Sequence, residues 1–348
     1  MENKNFPFVS IIIPCRNEEK FIGRCLDSII AQDYPKDKIE ILVVDGRSTD
    51  RTREVVEGYT QRYPFIKILD NSKRITPVAM NIGIREAKGD VIILVNAHSI
   101  LDKNFLKYNF QYLNKTNADA VGGRLNTIND DFSIIAQAIP LAADSIFGAG
   151  GKRYRTRITE GWVKDTLPYC AYPKKIFEKI GLIDEELIRN QDEEFNYRLL
   201  KSGRRIFFTP KIKSYLHIRP SLRKLWRQYF QYGYFKVRVA QKISAIFTWR
   251  QLVPSIFVGS LILTGIMSFF SKFFLCLFFL ISGSYLFTNF IFSLGISIKK
   301  GLKFFPILPA VFATLHFSYG FGFLKGIWDF VIRKKHLKQK IEDVPLTR

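Results

Sequence analysis

The first hundred residues alternate between short, mainly apolar runs and longer segments with helical periodicity. Such runs predict strands buried on both faces, as in a parallel sheet. They lie at residues 9–13, 41–44, 65–69 and 91–95. Three helical segments separate them, so the pattern predicts a doubly wound α/β domain. A further strand is expected at residues 118–123.

Polar residues follow two of these strands at the point where each ends. Asp45 and Gly46 close the second strand, and Asn96 and His98 follow the fourth, with Asp102 just beyond. Ligands of open α/β sheets bind beyond the carboxyl ends of the strands. We therefore expect these side chains to lie together, where Asp45 could hold a nucleotide and Asn96 and His98 a metal ion. The alternative is a set of polar turns that only cap helices.

The residues after the first two strands are typical of helix N-termini. Asn17 is a potential N-cap, and Glu18 and Glu19 would lie at the positive end of the helix dipole. Ser48 and Thr49 are potential N-caps of the second helix. The sequence therefore predicts two capped helices that pack on the sheet.

The middle of the chain offers two further candidate segments. Residues 148–151 are glycine-rich and lead into the basic run 152–157, which is either a close approach to a ligand or a flexible loop. An acidic cluster at residues 192–194 begins a helix, where it either complements the dipole or supplies a general base. Between the two lies a segment with three notable side chains, Trp162, Asp165 and Tyr169.

The charge of the chain points to an anionic partner. Its 53 Lys and Arg against 31 Asp and Glu give a net charge of +22, and residues 201–250 hold 13 Lys or Arg with no acidic residue. This basic stretch precedes a Phe-rich apolar region, as in cytosolic flanks of membrane segments. We expect a membrane partner and no nucleic acid, since no nucleic-acid-binding motif is evident.

Two other features concern the cellular compartment. The four cysteines have neither metal-ligand nor redox spacing, so we expect them to be reduced and mostly buried. The first ten residues contain no apolar signal region, which predicts a cytosolic first domain.

The last hundred residues contain apolar runs long enough to cross a bilayer. Residues 252–270 and 273–296 are runs of 19 and 24 residues with basic flanks, and we predict that both span. A third run, 304–324, contains Pro306, Pro309 and His316 and is either re-entrant or a further span. A soluble helical core is the alternative.

The stretch before these runs, residues 221–242, alternates basic and aromatic residues. It is either an amphipathic helix at the lipid headgroups or a helix packed under the first domain. The resulting division is a domain at residues 1–240 and a membrane domain at 241–348.

Four stretches in this order resemble the inverting family 2 glycosyltransferases of GT-A fold, over residues 9 to 234. They are VSIIIPCRNEE, VVDGRSTDRT, PVAMNIGIREAKGDVIILVNAH and GLIDEELIRNQDEEFNYRLLKSG. The Asn-Gln-Asp-Glu-Glu run, the WRQYFQYGYFK segment and the HFSYGFG segment are most similar to exopolysaccharide enzymes of the succinoglycan type. The resemblance implies a GT-A domain followed by C-terminal transmembrane helices.

The resemblance also implies roles for individual residues. Asp192 would be the general base, and Asn96 and His98 would face the donor diphosphate through a divalent metal, Mg²⁺ or Mn²⁺. The implied donor-binding residues are Pro14, Asn17, Glu18, Asp45 and Asn81. The residues implied near the diphosphate or acceptor are Asp165, Arg227 and Gln228.

The chain departs from the family pattern at two places. Gly46 stands where the nucleotide motif has a second aspartate, and Asn-Ala-His stands in place of the Asp-x-Asp metal motif. Fewer carboxylates predict weaker Mg²⁺ binding. The succinoglycan-type enzymes resemble this chain in the final His, so we interpret the site as a variant one.

The expected reaction is a single displacement with inversion. One carboxylate deprotonates the acceptor hydroxyl, and electrostatics stabilise the leaving diphosphate. We expect transfer from a UDP-sugar to an undecaprenyl-diphosphate-linked saccharide in exopolysaccharide biosynthesis. The expected location is the bacterial cytoplasmic membrane, with several spans and a cytosolic catalytic domain.

Three rival functions follow from the same residues. A polyprenyl-phosphate sugar synthase would use the lipid phosphate itself as acceptor, and a catalytically inactive membrane scaffold would explain the altered metal motif. A processive synthase is disfavoured, since the predicted spans are few and no Gln-x-x-Arg-Trp motif occurs.

Overall fold

The four predicted strands form the first half of a sheet, and the three predicted helices connect them. The computed structural model describes residues 6–128, 130–131, 133–149, 157–164, 166–217, 221–244 and 249–334. The elements are β1 (Val9–Cys15), α1 (Ile22–Ile30), β2 (Ile39–Asp45), α2 (Thr52–Arg62), β3 (Ile66–Asp70), α3 (Thr76–Glu86) and β4 (Val91–Leu94). The strands run parallel in the order β3-β2-β1-β4. The predicted α/β alternation is confirmed.

Both faces of the central strands are buried, which explains their continuous apolar sequence. Ile41 and Val43 of β2 belong to the core on the side of α1, and Leu42 and Val44 belong to the core on the side of α3. Every residue of β1 and β2 is buried. The doubly wound arrangement follows from this two-sided burial.

The sheet continues into a mixed half, of which the sequence pattern predicted the strand at residues 118–123 and the helix that begins at the acidic cluster; both are confirmed. Its elements are β5 (Ser99–Leu101), α4 (Phe105–Thr116), β6 (Ala120–Ile128), α5 (Ile134–Ala143), β7 (Gly161–Val163), β8 (Ala171–Pro173), α6 (Lys175–Ile180), α7 (Gln191–Lys201) and β9 (Ile206–His217). Beyond β4 the order is β8-β6-β9-β5, with β7 paired to β9. β8 is antiparallel to both β4 and β6. Strands of three residues, such as β5, β7 and β8, are too short to show periodicity.

The contacts divide the chain into two units. The first comprises residues 1–128, 153–217 and 348 and holds the sheet. The second comprises residues 129–152 and 218–347, and its described elements are helical. Besides α5, the second unit contains α8 (Leu222–Ile243), α9 (Trp249–Met267), α10 (Lys272–Lys300) and α11 (Leu308–Gly326), followed by a π-helical turn at Ile327–Ile332. The expected domain boundary near residue 240 stays a prediction.

Within the second unit, α8 and α11 approach each other closely. A Cβ atom on Gly233 would clash with the carbonyl oxygen of Tyr319, and one on Gly322 would clash with that of Phe230. Small residues permit such close backbone contact. One face of α8 is therefore buried against α11, while Trp226 remains exposed.

Among the described residues, one helix is long and apolar enough to cross a membrane. This is α10, 29 residues long, and its exposed side chains include Phe279, Leu280 and Phe287. The apolar stretch of α9, Gln251–Met267, is shorter than a span. Of the two spans predicted with basic flanks, one therefore meets the requirements of length and composition.

The third apolar run, α11, is largely buried by protein. Val311, Phe312 and Leu315 lie in the core of the second unit. His316 Nε2 lies 2.6 Å from the carbonyl oxygen of Phe147, and His316 Nδ1 lies 3.1 Å from Tyr285 Oη. These two partners explain a histidine within an apolar helix.

Candidate active site

The carboxyl ends of β1, β2 and β4 meet at one edge of the sheet. β1 lies between the other two strands and is parallel to both. Cys15 is in register with Asp45, and the N–H of Gly46 donates to the carbonyl oxygen of Cys15 at 2.8 Å. The predicted shared edge for Asp45 and the Asn96–His98 segment is confirmed.

At the end of β2, Asp45 is a buried carboxylate whose negative charge is compensated by hydrogen-bond donors and a cation. Its side chain is 1% exposed, and its Oδ1 accepts a hydrogen bond from Ser48 Oγ at 2.6 Å. The backbone N–H of Ser48 also donates to this carboxylate, and Arg53 Nη1 lies 3.6 Å from Oδ2. The charge of Asp45 is thus compensated by Ser48 of its own turn and by Arg53 of α2.

The residues expected to cap α1 and α2 instead join the two loops. The N–H of Asn17 donates to Ser48 Oγ at 2.9 Å, and the N–H of Thr49 donates to Asn17 Oδ1 at 2.8 Å. α1 begins only at Ile22 and α2 only at Thr52, so the predicted caps at Asn17, Ser48 and Thr49 are wrong. The polar groups of Asn17, Ser48 and Thr49 form hydrogen bonds from one loop to the other, because the tertiary structure brings the two loops together.

At the end of β4, His98 is held by a residue from the β1 loop. Glu18 Oε1 lies 3.2 Å from His98 Nδ1, with side-chain exposures of 8% for Glu18 and 17% for His98. The backbone N–H of Glu18 donates to Thr52 Oγ1 at 2.7 Å. A carboxylate that binds one ring nitrogen orients a histidine whose other nitrogen faces a ligand. Glu18 therefore acts on His98, while its implied contact with the donor stays a prediction.

Asn96 is held by a tyrosine to which the sequence assigned no role. Its Nδ2 donates to Tyr169 Oη at 2.9 Å, and Ser99 Oγ lies 2.6 Å from the same Oη. Tyr169 has a φ of 49°, a left-handed conformation that is uncommon for a bulky residue. Burial raises the pKa of the Tyr169 hydroxyl, and the charge of Asp192 adds to this shift although Ser99 and Asn96 oppose it.

Asp192 lies exposed in the first turn of α7. Its charge raises the pKa of Tyr169 and also of Tyr172, whose pKa is raised mainly by burial, so the carboxylate is electrostatically close to β8 and the segment before it. Tyr172 Oη donates to Asn196 Oδ1 at 2.8 Å, which fixes α7 on β8. Arg198 binds Glu194 and the carbonyl oxygens of Ile180 and Leu182. An anchored helix therefore presents an exposed carboxylate whose charge acts on Tyr169.

The remaining predicted site residues occupy diverse positions. Pro14 is buried within β1, and the amide of Asn81 binds both the N–H and the carbonyl oxygen of Ile183, with Glu185 as a third partner. Arg227 is exposed on α8, where Gln228 donates to Tyr232. Asp165 lies outside the described residues. Their implied roles stay predictions.

The end of β4 offers few ligands for a divalent metal. The described ranges contain no group of three or more His, Cys, Asp or Glu side chains that could hold one. The available atoms are Asn96 Oδ1 and His98 Nε2. Mg²⁺ and related cations are often held by one or two protein ligands together with substrate phosphates. Asn96 and His98 would fit a cation that takes most of its ligands from a bound phosphate group.

Three of the four cysteines lie in the core. Cys15, Cys25 and Cys170 are buried, Cys276 is exposed, and all four are free thiols. Burial raises the pKa of Cys25 and Cys170 to about 12, which makes them inert at neutral pH. The prediction of reduced, mostly buried cysteines is confirmed.

Comparison with known proteins identifies the class of enzyme. The model of glycosyl transferase family 2 matches residues 10–181. A dolichyl N-acetyl-α-D-glucosaminyl phosphate 3-β-D-2,3-diacetamido-2,3-dideoxy-β-D-glucuronosyltransferase of Methanococcus voltae is 32% identical over 92% of this chain and 97% of its own length. The succinoglycan biosynthesis protein ExoA of Rhizobium meliloti is 31% identical over 70% of this chain and 73% of its own length.

Solved structures agree on the fold. A mannosyltransferase of Pyrobaculum calidifontis, in complex with GDP-Man and Mn²⁺, superposes with a TM-score of 0.64 at 18% identity, covering 94% of this chain and 88% of that one. TarS of Staphylococcus aureus in complex with UDP-GlcNAc gives 0.51 at 17% identity, covering 91% and 90%. The protein is a glycosyltransferase with a GT-A domain. It belongs to glycosyl transferase family 2.

Proposed function

We propose that this enzyme transfers a sugar from a UDP-sugar to a polyprenyl-linked saccharide, with inversion, during synthesis of a cell-surface polysaccharide. The observation that carries the proposal is the exposed carboxylate of Asp192 on an anchored helix, whose charge acts on Tyr169, the hydrogen-bond partner of Asn96. An inverting transfer needs one general base beside the donor, and Asp192 supplies it.

The reaction is a single displacement at the anomeric carbon. The acceptor hydroxyl oxygen forms a bond to this carbon as its proton passes to a carboxylate oxygen of Asp192. The bond from the carbon to the diphosphate oxygen breaks, and the electron pair leaves with UDP. Because no enzyme nucleophile intervenes, an α-linked donor yields a β-linked product.

The donor lies along the edge formed by β1, β2 and β4. Asp45, neutralised by Ser48 and Arg53, faces the nucleoside, while Asn96 and His98 face the diphosphate. Asn96 Oδ1 and His98 Nε2 would hold a divalent metal there, which would supply positive charge to stabilise the leaving diphosphate. The mannosyltransferase neighbour contains Mn²⁺, which supports metal use.

The proposed acceptor is anchored in a membrane that the second unit also contacts. The Methanococcus voltae relative is named for a dolichyl-linked aminosugar phosphate acceptor, and the Rhizobium relative for succinoglycan biosynthesis. The exposed apolar side chains of α10 suit lipid, and the net charge of +22 suits an anionic cytosolic surface. We place the catalytic unit on the cytosolic face.

The test is transfer from a panel of labelled UDP-sugars to synthetic polyprenyl-linked acceptors in nanodiscs. One acceptor carries a diphosphate-linked N-acetylglucosamine, and the other is the bare polyprenyl phosphate. The proteins are wild type, Asp192→Asn and the matched control Glu193→Gln, which neutralises the adjacent carboxylate. Loss of a general base reduces kcat by about 10²- to 10⁴-fold.

The product separates the candidate functions. An acid-stable bond to the saccharide acceptor, lost in Asp192→Asn and kept in Glu193→Gln, supports the proposal. An acid-labile product on the bare lipid phosphate would instead identify a polyprenyl-phosphate sugar synthase. Nucleotide binding without transfer to either acceptor would favour the scaffold, and equal activity of wild type and Asp192→Asn would remove Asp192 as the base.

A further inference from the structure

The Asn-Ala-His segment raises a problem of orientation. An aspartate presents an oxygen whichever way its side chain is turned. An asparagine presents Oδ1 in one orientation of its amide and the donor group Nδ2 in the other. A residue that holds the amide of Asn96 therefore determines in advance whether its oxygen or its nitrogen faces a metal or a hydrated cation.

Tyr169 provides that hold. Its Oη accepts a hydrogen bond from Asn96 Nδ2 at 2.9 Å, which turns Oδ1 to the opposite side of the amide. In the part of the chain that the structure describes, Asn96 Oδ1 accepts no hydrogen bond, and Asn96 is only half-buried. The oxygen is thus left available to a ligand.

The tyrosine is itself held in place. Ser99 Oγ lies 2.6 Å from the same Oη, and Ser99 is buried within β5. The backbone of Tyr169 is left-handed, a conformation that is unfavourable for a bulky residue and persists where surrounding contacts determine it. Such strain beside the β4 end is typical of a functional position.

We propose that Tyr169 is a positioning residue, whose hydroxyl fixes the amide of Asn96 so that Oδ1 faces the metal–diphosphate group of the donor. This inference rests on the proposed function, since it assumes a nucleoside diphosphate at the end of β4. It assigns Tyr169 no contact with substrate. The role resembles that of Glu18, which holds the other residue of the motif, His98, by Nδ1.

The proposal predicts that substitutions of Tyr169 and Asn96 have non-additive effects on Mn²⁺ binding. Tyr169→Phe frees the Asn96 amide to turn and should weaken binding of Mn²⁺ in the presence of UDP about 10-fold, the usual effect of losing an outer-shell partner. In an Asn96→Asp background the same change should weaken binding less than about 3-fold, because a carboxylate needs no orientation. A merely structural tyrosine would give equal losses in both backgrounds.

The experiment is a double-mutant cycle in the full-length protein in nanodiscs. Mn²⁺ binding with and without UDP is measured by calorimetry, and KM for the donor is compared with kcat. Tyr172→Phe is the matched control, because it removes a hydroxyl of the same sheet region that binds Asn196 instead. It should lower thermal stability without weakening Mn²⁺–UDP binding.

The outcomes are distinguishable from failure of the proposed function. If wild type binds neither Mn²⁺ nor UDP, the proposed function fails and the orientation role falls with it. If wild type binds both, an unchanged affinity in Tyr169→Phe overturns the orientation role alone. Equal losses for Tyr169→Phe and Tyr172→Phe, or in both backgrounds at position 96, overturn it as well.

Discussion

The ends of β2 and β4 lie on either side of β1 at one edge of the sheet, yet they handle charge in opposite ways. The β2 end contains a buried carboxylate, Asp45, which is compensated by residues that follow closely in the chain, Ser48 of its own turn and Arg53 of α2. The β4 end carries no carboxylate of its own, and partners from other loops orient its amide and imidazole. The charge at the β2 end is compensated by residues close to it in sequence, whereas the side chains at the β4 end are held by residues from distant segments.

The neighbouring residues therefore explain how Asn-Ala-His can stand in place of an Asp-x-Asp motif. A carboxylate at position 98 would face Glu18, a nearly buried acid, whereas an imidazole accepts that neighbour as a partner. The local fit explains how the β4 end is built without the carboxylates that the family pattern leads one to expect.

The largest effect is expected from a substitution that disrupts the contact between Glu18 and His98. His98→Asp places two carboxylates together in a site with little exposure, and an uncompensated buried charge costs about 3 kcal/mol. We expect a markedly lower melting temperature of the purified protein and loss of transfer activity. Glu18→Gln/His98→Asp should recover most of the stability, because the amide can donate to the new carboxylate. A wild-type melting temperature for His98→Asp would contradict the described pairing.

A smaller effect is expected from a substitution of Asp45 at the end of β2. Asp45→Asn removes the charge that accepts two hydrogen bonds from Ser48, which should cost about 2 kcal/mol and raise KM for the donor about 10-fold. Asp70→Asn is the control: Asp70 is in register with Asp45 at the end of β3, but its side chain is 50% exposed. Equal effects of the two variants would show that burial at the β2 end is unimportant.

The smallest expected effect concerns Arg53. Its side chain is 48% exposed, and Nη1 lies 3.6 Å from Asp45 Oδ2, so the pair is partly screened by solvent. Arg53→Gln should lower stability by less than about 1 kcal/mol. The difference from wild type, measured by thermal unfolding, should shrink as salt is raised. A loss as large as that of Asp45→Asn would mean that Arg53, rather than Ser48, holds the carboxylate.

Much of the first unit was predictable because local pattern and global fold agree there. The apolar runs that became β1–β4 are buried on both faces, and a parallel order follows from the alternation with helices. The positions of Asp45 and Asn96 at strand ends follow from the same pattern. Asp192 was identifiable by resemblance, since spacing alone left it equivalent to a helix-capping acid.

The failures have a common physical cause. Asn17, Ser48 and Thr49 have the residue types of N-caps, but their hydrogen bonds go to each other between loops that are about thirty residues apart in sequence. Local propensity cannot anticipate a partner supplied by another segment. The short strands β5, β7 and β8 escaped detection because pairing with β9 or β4, rather than periodicity, makes them strands.

The α/β class, the shared edge of the sheet and the residue types available for chemistry were predictable, because they depend on hydrophobic periodicity and on where strands end. How those residues are held is visible only in the folded chain. Glu18 reaches His98, and Tyr169 reaches Asn96, across 80 and 73 residues of chain. Such contacts result from packing between distant segments, which cannot be predicted from the pattern of apolar and polar residues along the chain.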